Sequence, residues 1–172
     1  AGIGAFFLAL LLLYMIFPVP FPVTYTEEEI TDSLCIQILQ EQEEFDNPVC
    51  ILGKGKVDEY IIVGFTHTPH PVYSPGASVL LFAEDEEEKG EYHYLYCSRL
   101  LERGNGIYHS FFDIDGYCIV INTNPELSYM VNQITGEIYF QNEASDSPAM
   151  YIFPVSYPIE YAYIDRNGNE IR

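Results

Sequence analysis

Residues 91–123 read EYHYLYCSRLLERGNGIYHSFFDIDGYCIVINT, and the fold turns on this stretch. It is rich in β-branched and aromatic residues and is bounded by turn formers, the composition of strands. Asn105-Gly106 and Asp115-Gly116 interrupt it with the two-residue pattern of type I′ hairpin turns, which need positive φ at both central positions. The expected unit is a three-stranded antiparallel meander over residues 92–104, 107–114 and 117–123.

That register tests the cysteines. Cys35, Cys50, Cys97 and Cys118 make an even count, which in an oxidising compartment invites two disulfides. Counting outward from the turns sets Cys97 opposite Ile114 and Cys118 opposite Asp113. The two thiols then lie on strands separated by a third, about 9.5 Å apart and facing opposite ways. A disulfide requires Cα atoms within about 7 Å, so Cys97 and Cys118 are expected not to bridge, while Cys35 and Cys50 stay available to pair.

Working outward, residues 49–52, 59–66 and 77–83 read as earlier strands, and 137–141, 149–153 and 159–165 as later ones. Pro154 and Pro158 make the region between the last two an edge or a loop. The acidic run at 84–88 reads as a solvated hairpin tip. Before the first strand, TEEEITDSLCIQILQEQEEF (26–45) has the pattern of an amphipathic helix. Thr26 and Glu29 have capping-box spacing, Glu27 and Glu28 complement the helix dipole, and Ile30, Leu34, Ile38 and Leu39 share one face with Cys35 beside it. Asn47 and Pro48 end the element.

The first seventeen residues, AGIGAFFLALLLLYMIF, carry no charge. As a helix they rise about 26 Å, nearly a bilayer core, and inside lipid a helix pairs its own backbone amides. Pro18, Pro20 and Pro22 then stop it and make a stiff, extended spacer. A cleaved signal needs a small-x-small site, whereas prolines and bulky residues come after Phe17; a buried core helix is rarely so uniformly apolar. Residues 1–17 are therefore expected to be a transmembrane anchor, 18–25 a proline-rich spacer and 26–172 an extracytoplasmic domain. Eight acids precede the first base, Lys54, which permits an external flank. Ala1, Ala5 and Ala9 recur every fourth residue, the ordinary composition of an apolar helix. The expected fold class is α+β: an N-terminal membrane helix, then one amphipathic helix packed on a mainly antiparallel sheet. The expected location is the cell membrane, single-pass.

Composition narrows the function. With 7 bases against 26 acids, a net charge of −19, the chain lacks the clustered Lys and Arg that nucleic acid requires. Its 15 Tyr and 11 Phe argue against disorder. No chemical motif is strong. His67 and His70 sit in a proline-bracketed loop without a third ligand. Asp165, Asn167 and Asn169 imitate a calcium loop, but Gly168 is misplaced for one and Asn167-Gly168 reads as a hairpin turn. GKGK at 53–56 lacks phosphate-loop spacing. His109 and Ser110 point to opposite faces of a strand and form no local dyad. No metal and no cofactor are expected.

The tyrosines are the remaining signal. Tyr92, Tyr94 and Tyr96 alternate and so are expected on one face, with Tyr108 and Tyr117 extending the patch from neighbouring strands. Such a surface either covers the core beneath the helix or binds a sugar or an extended peptide. The function expected is a membrane-anchored, extracytoplasmic, non-catalytic binding domain with an acidic surface. Its partners would be the membrane through residues 1–17 and a cationic protein, peptide or cell-wall component. The alternatives are an envelope-acting hydrolase using Asp113 or Glu102 as acid and base, and an accessory subunit of a membrane complex.

Overall fold

The apolar runs at 61–65 and 77–82 are continuous rather than alternating, as suits strands buried on both faces. The computed structural model describes residues 23–42, 48–67, 76–111, 116–143, 147–155 and 160–171. Their strands are β1 (Thr24–Thr26), β2 (Val49–Val57), β3 (Tyr60–His67), β4 (Gly76–Glu84), β5 (Glu91–Arg99), β6 (Leu101–Gly104) and β7 (Ile107–Phe111). They continue with β8 (Tyr117–Asn122), β9 (Leu127–Asn132), β10 (Ile138–Gln141), β11 (Ala149–Pro154), β12 (Tyr161–Asp165) and β13 (Glu170–Ile171). One helix, α1 (Asp32–Glu41), accompanies them.

Three antiparallel sheets result, in the orders β1-β5-β4-β3-β2, β11-β8-β7-β6 and β10-β9-β12-β13. Ile61, Val63 and Phe65 of β3, with Leu80 and Phe82 of β4, meet Cys35, Ile38 and Leu39 of α1. The alternate residues Ile62, Val79 and Leu81 pack against Ile119 and Ile121 of β8, joining the first sheet to the second. Cys118 and Val120 of β8 turn the other way, onto Leu127, Met130 and Tyr163 of the third sheet. The layers are therefore helix, sheet, sheet, sheet, and β8 in the middle is apolar on both faces. Fully burying each such side chain stabilises by about 1.5–3 kcal/mol relative to exposure.

This corrects the α+β expectation: the described chain is sheet-dominated, with a single ten-residue helix. The helix is short because its expected first turn closes differently. Glu29 Oε2 accepts from Thr26 N at 2.8 Å, one half of a capping box, and from Thr26 Oγ1 at 3.1 Å, while Glu29 N–H bonds the Thr26 carbonyl, so the pair closes an isolated turn. Thr31 caps α1 instead, its hydroxyl accepting from Leu34 N at 3.4 Å. Thr31→Ala is expected to cost about 0.5–1 kcal/mol in urea unfolding, and Thr26→Ala less.

The single-pass membrane location and the transmembrane helix are corrected with it. Among the described residues no helix is long and apolar enough to cross a membrane. Residues 1–22, which carry the anchor reading and most of the spacer, lie outside the described residues. Thr24 and Tyr25, at the spacer's end, belong to β1, paired with His93 and Tyr92 of β5.

The first hairpin turn is as expected: Asn105 has φ 48°, Gly106 has φ 82°, and Gly104 pairs with Ile107. The meander nevertheless divides at Leu100, whose N–H still bonds Ala77 O at 2.9 Å in the first sheet. From Leu101 onward the chain pairs with β7 in the second sheet. Cys97 therefore faces Leu80, not Ile114. Cys118 faces Phe111, not Asp113; residues 112–115 lie outside the described residues. All four cysteines are unbridged, Cys35 and Cys50 included.

Candidate functional site

The five tyrosines do not form one patch. Leu81 of β4 pairs with Tyr96 and Phe82 with Tyr94, so Leu95 is an extra residue, a β-bulge that reverses the facing of the residues after it. Tyr92 and Tyr94 lie on the helix side in the first core, Tyr92 only 1% exposed. Tyr96, opposite Leu81, belongs to the other face and is 43% exposed. Tyr108 and Tyr117 pack between the first and second sheets. A period-two pattern gives no warning of a single inserted residue, which is why the alternation reads as one face in the sequence.

Strand pairing gathers a different set of residues. Thr26 pairs with Glu91, so the turn after β1, residues 27–29 (EEE), lies at the start of β5. Glu84 N–H donates to Glu59 O at 2.7 Å, which brings the β2–β3 turn with Asp58 and Glu59 beside the end of β4. Residues 84–88 (EDEEE) form the β4–β5 turn at that same end. Three turns far apart in sequence thus line one rim of the first sheet with carboxylates. Residues 27–29, 58–59 and 86–88 are exposed.

Bases at this rim are already engaged. Lys89 Nζ is 3.0 Å from Glu84 Oε2, and Lys56 Nζ is 3.9 Å from Glu27 Oε2 while lying 5.3 Å over the Tyr92 ring. Lys54 Nζ donates to the carbonyl oxygens of Glu27 and Ile30, tying the turn after β1 to β2. Asp85 Oδ1 accepts from Glu87 N at 2.8 Å and Glu88 N at 3.1 Å, folding the tip so that 86–88 point to solvent. These bonds hold Glu29, Glu84 and Asp85 below their ordinary carboxylate values, chiefly through Thr26, Lys89 and the Glu87 backbone respectively.

A second polar constellation joins the second and third sheets. His109 of β7 is 1% exposed. Its Nε2 receives Arg103 Nε at 2.6 Å and lies 3.0 Å from Tyr161 Oη; its Nδ1 lies 2.8 Å from Tyr163 Oη. Arginine only donates, so Nε2 is an acceptor and the imidazole proton sits on Nδ1, donated to Tyr163. Burial, then the Arg103 charge, lowers the His109 pKa from 6.5 to about 4. Burial likewise raises Tyr163, and it pushes Cys118 nearby up to about 12. His109 is a neutral strut at neutral pH.

Other sequence candidates are dispersed. His67 ends β3, His70 lies outside the described residues, and among the described residues no group of three or more His, Cys, Asp or Glu is arranged to hold a metal ion. Glu102 Oε1 accepts from Gly106 N at 3.4 Å in the hairpin, and Asp113 lies outside the described residues. Asp165 Oδ1 accepts from Asn167 N and Asn169 N, both at 2.8 Å, closing the β12–β13 hairpin. A cleft of about 370 Å³ between the first two sheets is lined by Cys50, Thr66, His67, Tyr108 and Thr123. The chain matches no family model and has no significant match among curated proteins or solved structures.

Proposed function

We propose that this protein is a non-catalytic binding domain that recognises a cationic protein or peptide through the acidic rim of its first sheet. The observation supporting it is the convergence of three acidic turns on one rim whose local bases are already paired. A net charge of −19 adds a long-range attraction for cationic partners. Exposed ion pairs are individually weak, so affinity here comes from several at once and falls with salt as the Debye length shrinks below about 10 Å.

Binding of a decalysine peptide should therefore weaken about tenfold or more between 50 and 500 mM salt. Glu86→Gln/Glu87→Gln/Glu88→Gln is expected to weaken it about fivefold or more at low salt. The matched set Glu126→Gln/Glu137→Gln/Glu170→Gln, in the third-sheet region, removes the same charge and should leave it nearly unchanged. Equal losses for both sets would reduce the rim to a contributor to net charge and sink the reading.

A further inference from the structure

Arg103 stands apart from the other cations of the described chain in what holds it. The β6–β7 register runs Leu101 to His109 and Glu102 to Tyr108, then Gly104 to Ile107, so Arg103 is an extra residue, a bulge on an outer strand of its sheet. Bulges re-aim side chains. This one brings the Arg103 Nε–H onto the lone pair of His109, a side chain 1% exposed and fixed from behind by Tyr163. Nε is engaged by His109 on a residue that is itself exposed, and the guanidinium carries two further donor nitrogens beyond Nε. Among the described residues no carboxylate forms an ion pair with it, despite the large excess of acids. A planar guanidinium oriented in this way matches a carboxylate bidentately.

Two neighbours define what would accompany that carboxylate. Leu101, the register partner of His109 and so on the same face, is 67% exposed. Tyr161 sets its ring edge-to-face with His109 at 5.0 Å and is half-buried, with its hydroxyl at the same imidazole nitrogen. Leu101 and Tyr161 thus each adjoin His109, the side chain that holds Arg103.

We propose that Arg103, positioned by His109, binds a carboxylate joined to an apolar body that rests on Leu101 and Tyr161. The shared chemistry is met by a small hydrophobic acid or by the C-terminus of a peptide ending in an apolar residue. The site is separate from the acidic rim, and its ligand has the opposite charge.

Titration of the full chain with phenylacetate, hexanoate, acetate and inorganic phosphate tests it. The two apolar acids should saturate one site, with acetate about tenfold weaker. Arg103→Gln and Arg103→Lys should each weaken phenylacetate about tenfold or more, because lysine lacks the planar fork, with melting curves showing both variants folded at the titration temperature. Leu101→Ser should weaken hexanoate but not acetate. His109→Gln, which keeps an acceptor for Arg103, should retain binding that His109→Leu loses. A leucine-terminated peptide compared with its amidated twin separates the sources: a gap greater than that between hexanoate and hexanamide identifies the peptide end, and an equal gap the small acid. Absence of saturable binding, affinity unchanged in Arg103→Gln, or phosphate binding as tightly as phenylacetate would each overturn the proposal.

Discussion

Phe82→Ala is expected to lower the unfolding free energy by about 3–5 kcal/mol, the cost of a core cavity left by a phenyl ring. Phe82 is fully buried between α1 and the first sheet, with edge-on rings from Tyr94 at 5.7 Å and Tyr25 at 6.4 Å. Those rings are anchored on different strands and cannot collapse together into the space. Against a total of about 5–15 kcal/mol for an ordinary domain, the loss is a large fraction, corresponding to a melting temperature lower by about 10 °C. Ile138→Ala, at a position 47% exposed, should stay within about 0.5 kcal/mol. Urea denaturation of both variants measures the contrast. A loss below about 1.5 kcal/mol for Phe82→Ala would mean that the helix does not seal this face.

Acid is expected to act through His109 before it acts through the carboxylates. The imidazole is neutral in the folded protein until about pH 4 but protonates near 6.5 when unfolded. Above 6.5 it is neutral in both states and contributes no pH dependence. Between 6.5 and about 4 the unfolded chain takes up a proton that the folded chain refuses, so stability falls as pH falls; below about 4 the loss is complete, near 3 kcal/mol. Protonation would set a second positive charge against Arg103 and remove the lone pair that receives it. The lowered carboxyls of Glu29, Glu84, Asp85 and Asp165 have ordinary values of 4.5 and 3.8, so their stabilisation is lost lower, below about 4.5. Urea midpoints of wild type and His109→Gln, measured at half-unit steps from pH 7.5 to 4.5, should diverge in slope. Parallel curves would show that His109 titrates normally.

The Arg103–His109–Tyr161–Tyr163 group carries no sequence signal beyond one alternating strand, because its members come from three strands and the decisive contact depends on a bulge. The acidic rim is half legible. Residues 84–88 read correctly as a solvated tip, but nothing in their order says that residues 27–29 and 58–59 stand beside them. The tyrosine patch fails for a related reason: one inserted residue at Leu95 turns Tyr96 away from Tyr92 and Tyr94. β9 escapes the sequence reading, a six-residue strand whose buried positions do not alternate. The helix is foreseen but overextended, since Glu29 turns back onto Thr26 N as in a cap with no helix directly after them.

The chain determines a good deal locally. The double-sided apolar runs of β3, β4 and β8, the Asn105-Gly106 turn and the apolar stripe of α1 each derive from side-chain periodicity and from the φ values that glycine and asparagine tolerate. Only the tertiary structure decides which sheet each strand joins. The chain leaves the first sheet at Leu100 because a face already covered on one side by α1 must find apolar cover on the other, and the second sheet supplies it. Gly64 marks that closure: a Cβ there would lie 2.5 Å from Met150 Sδ and 3.2 Å from Ile121 Cδ1. Such pairings join residues dozens of positions apart, and the burial that selects among them is a property of whole faces, not of any short run of letters.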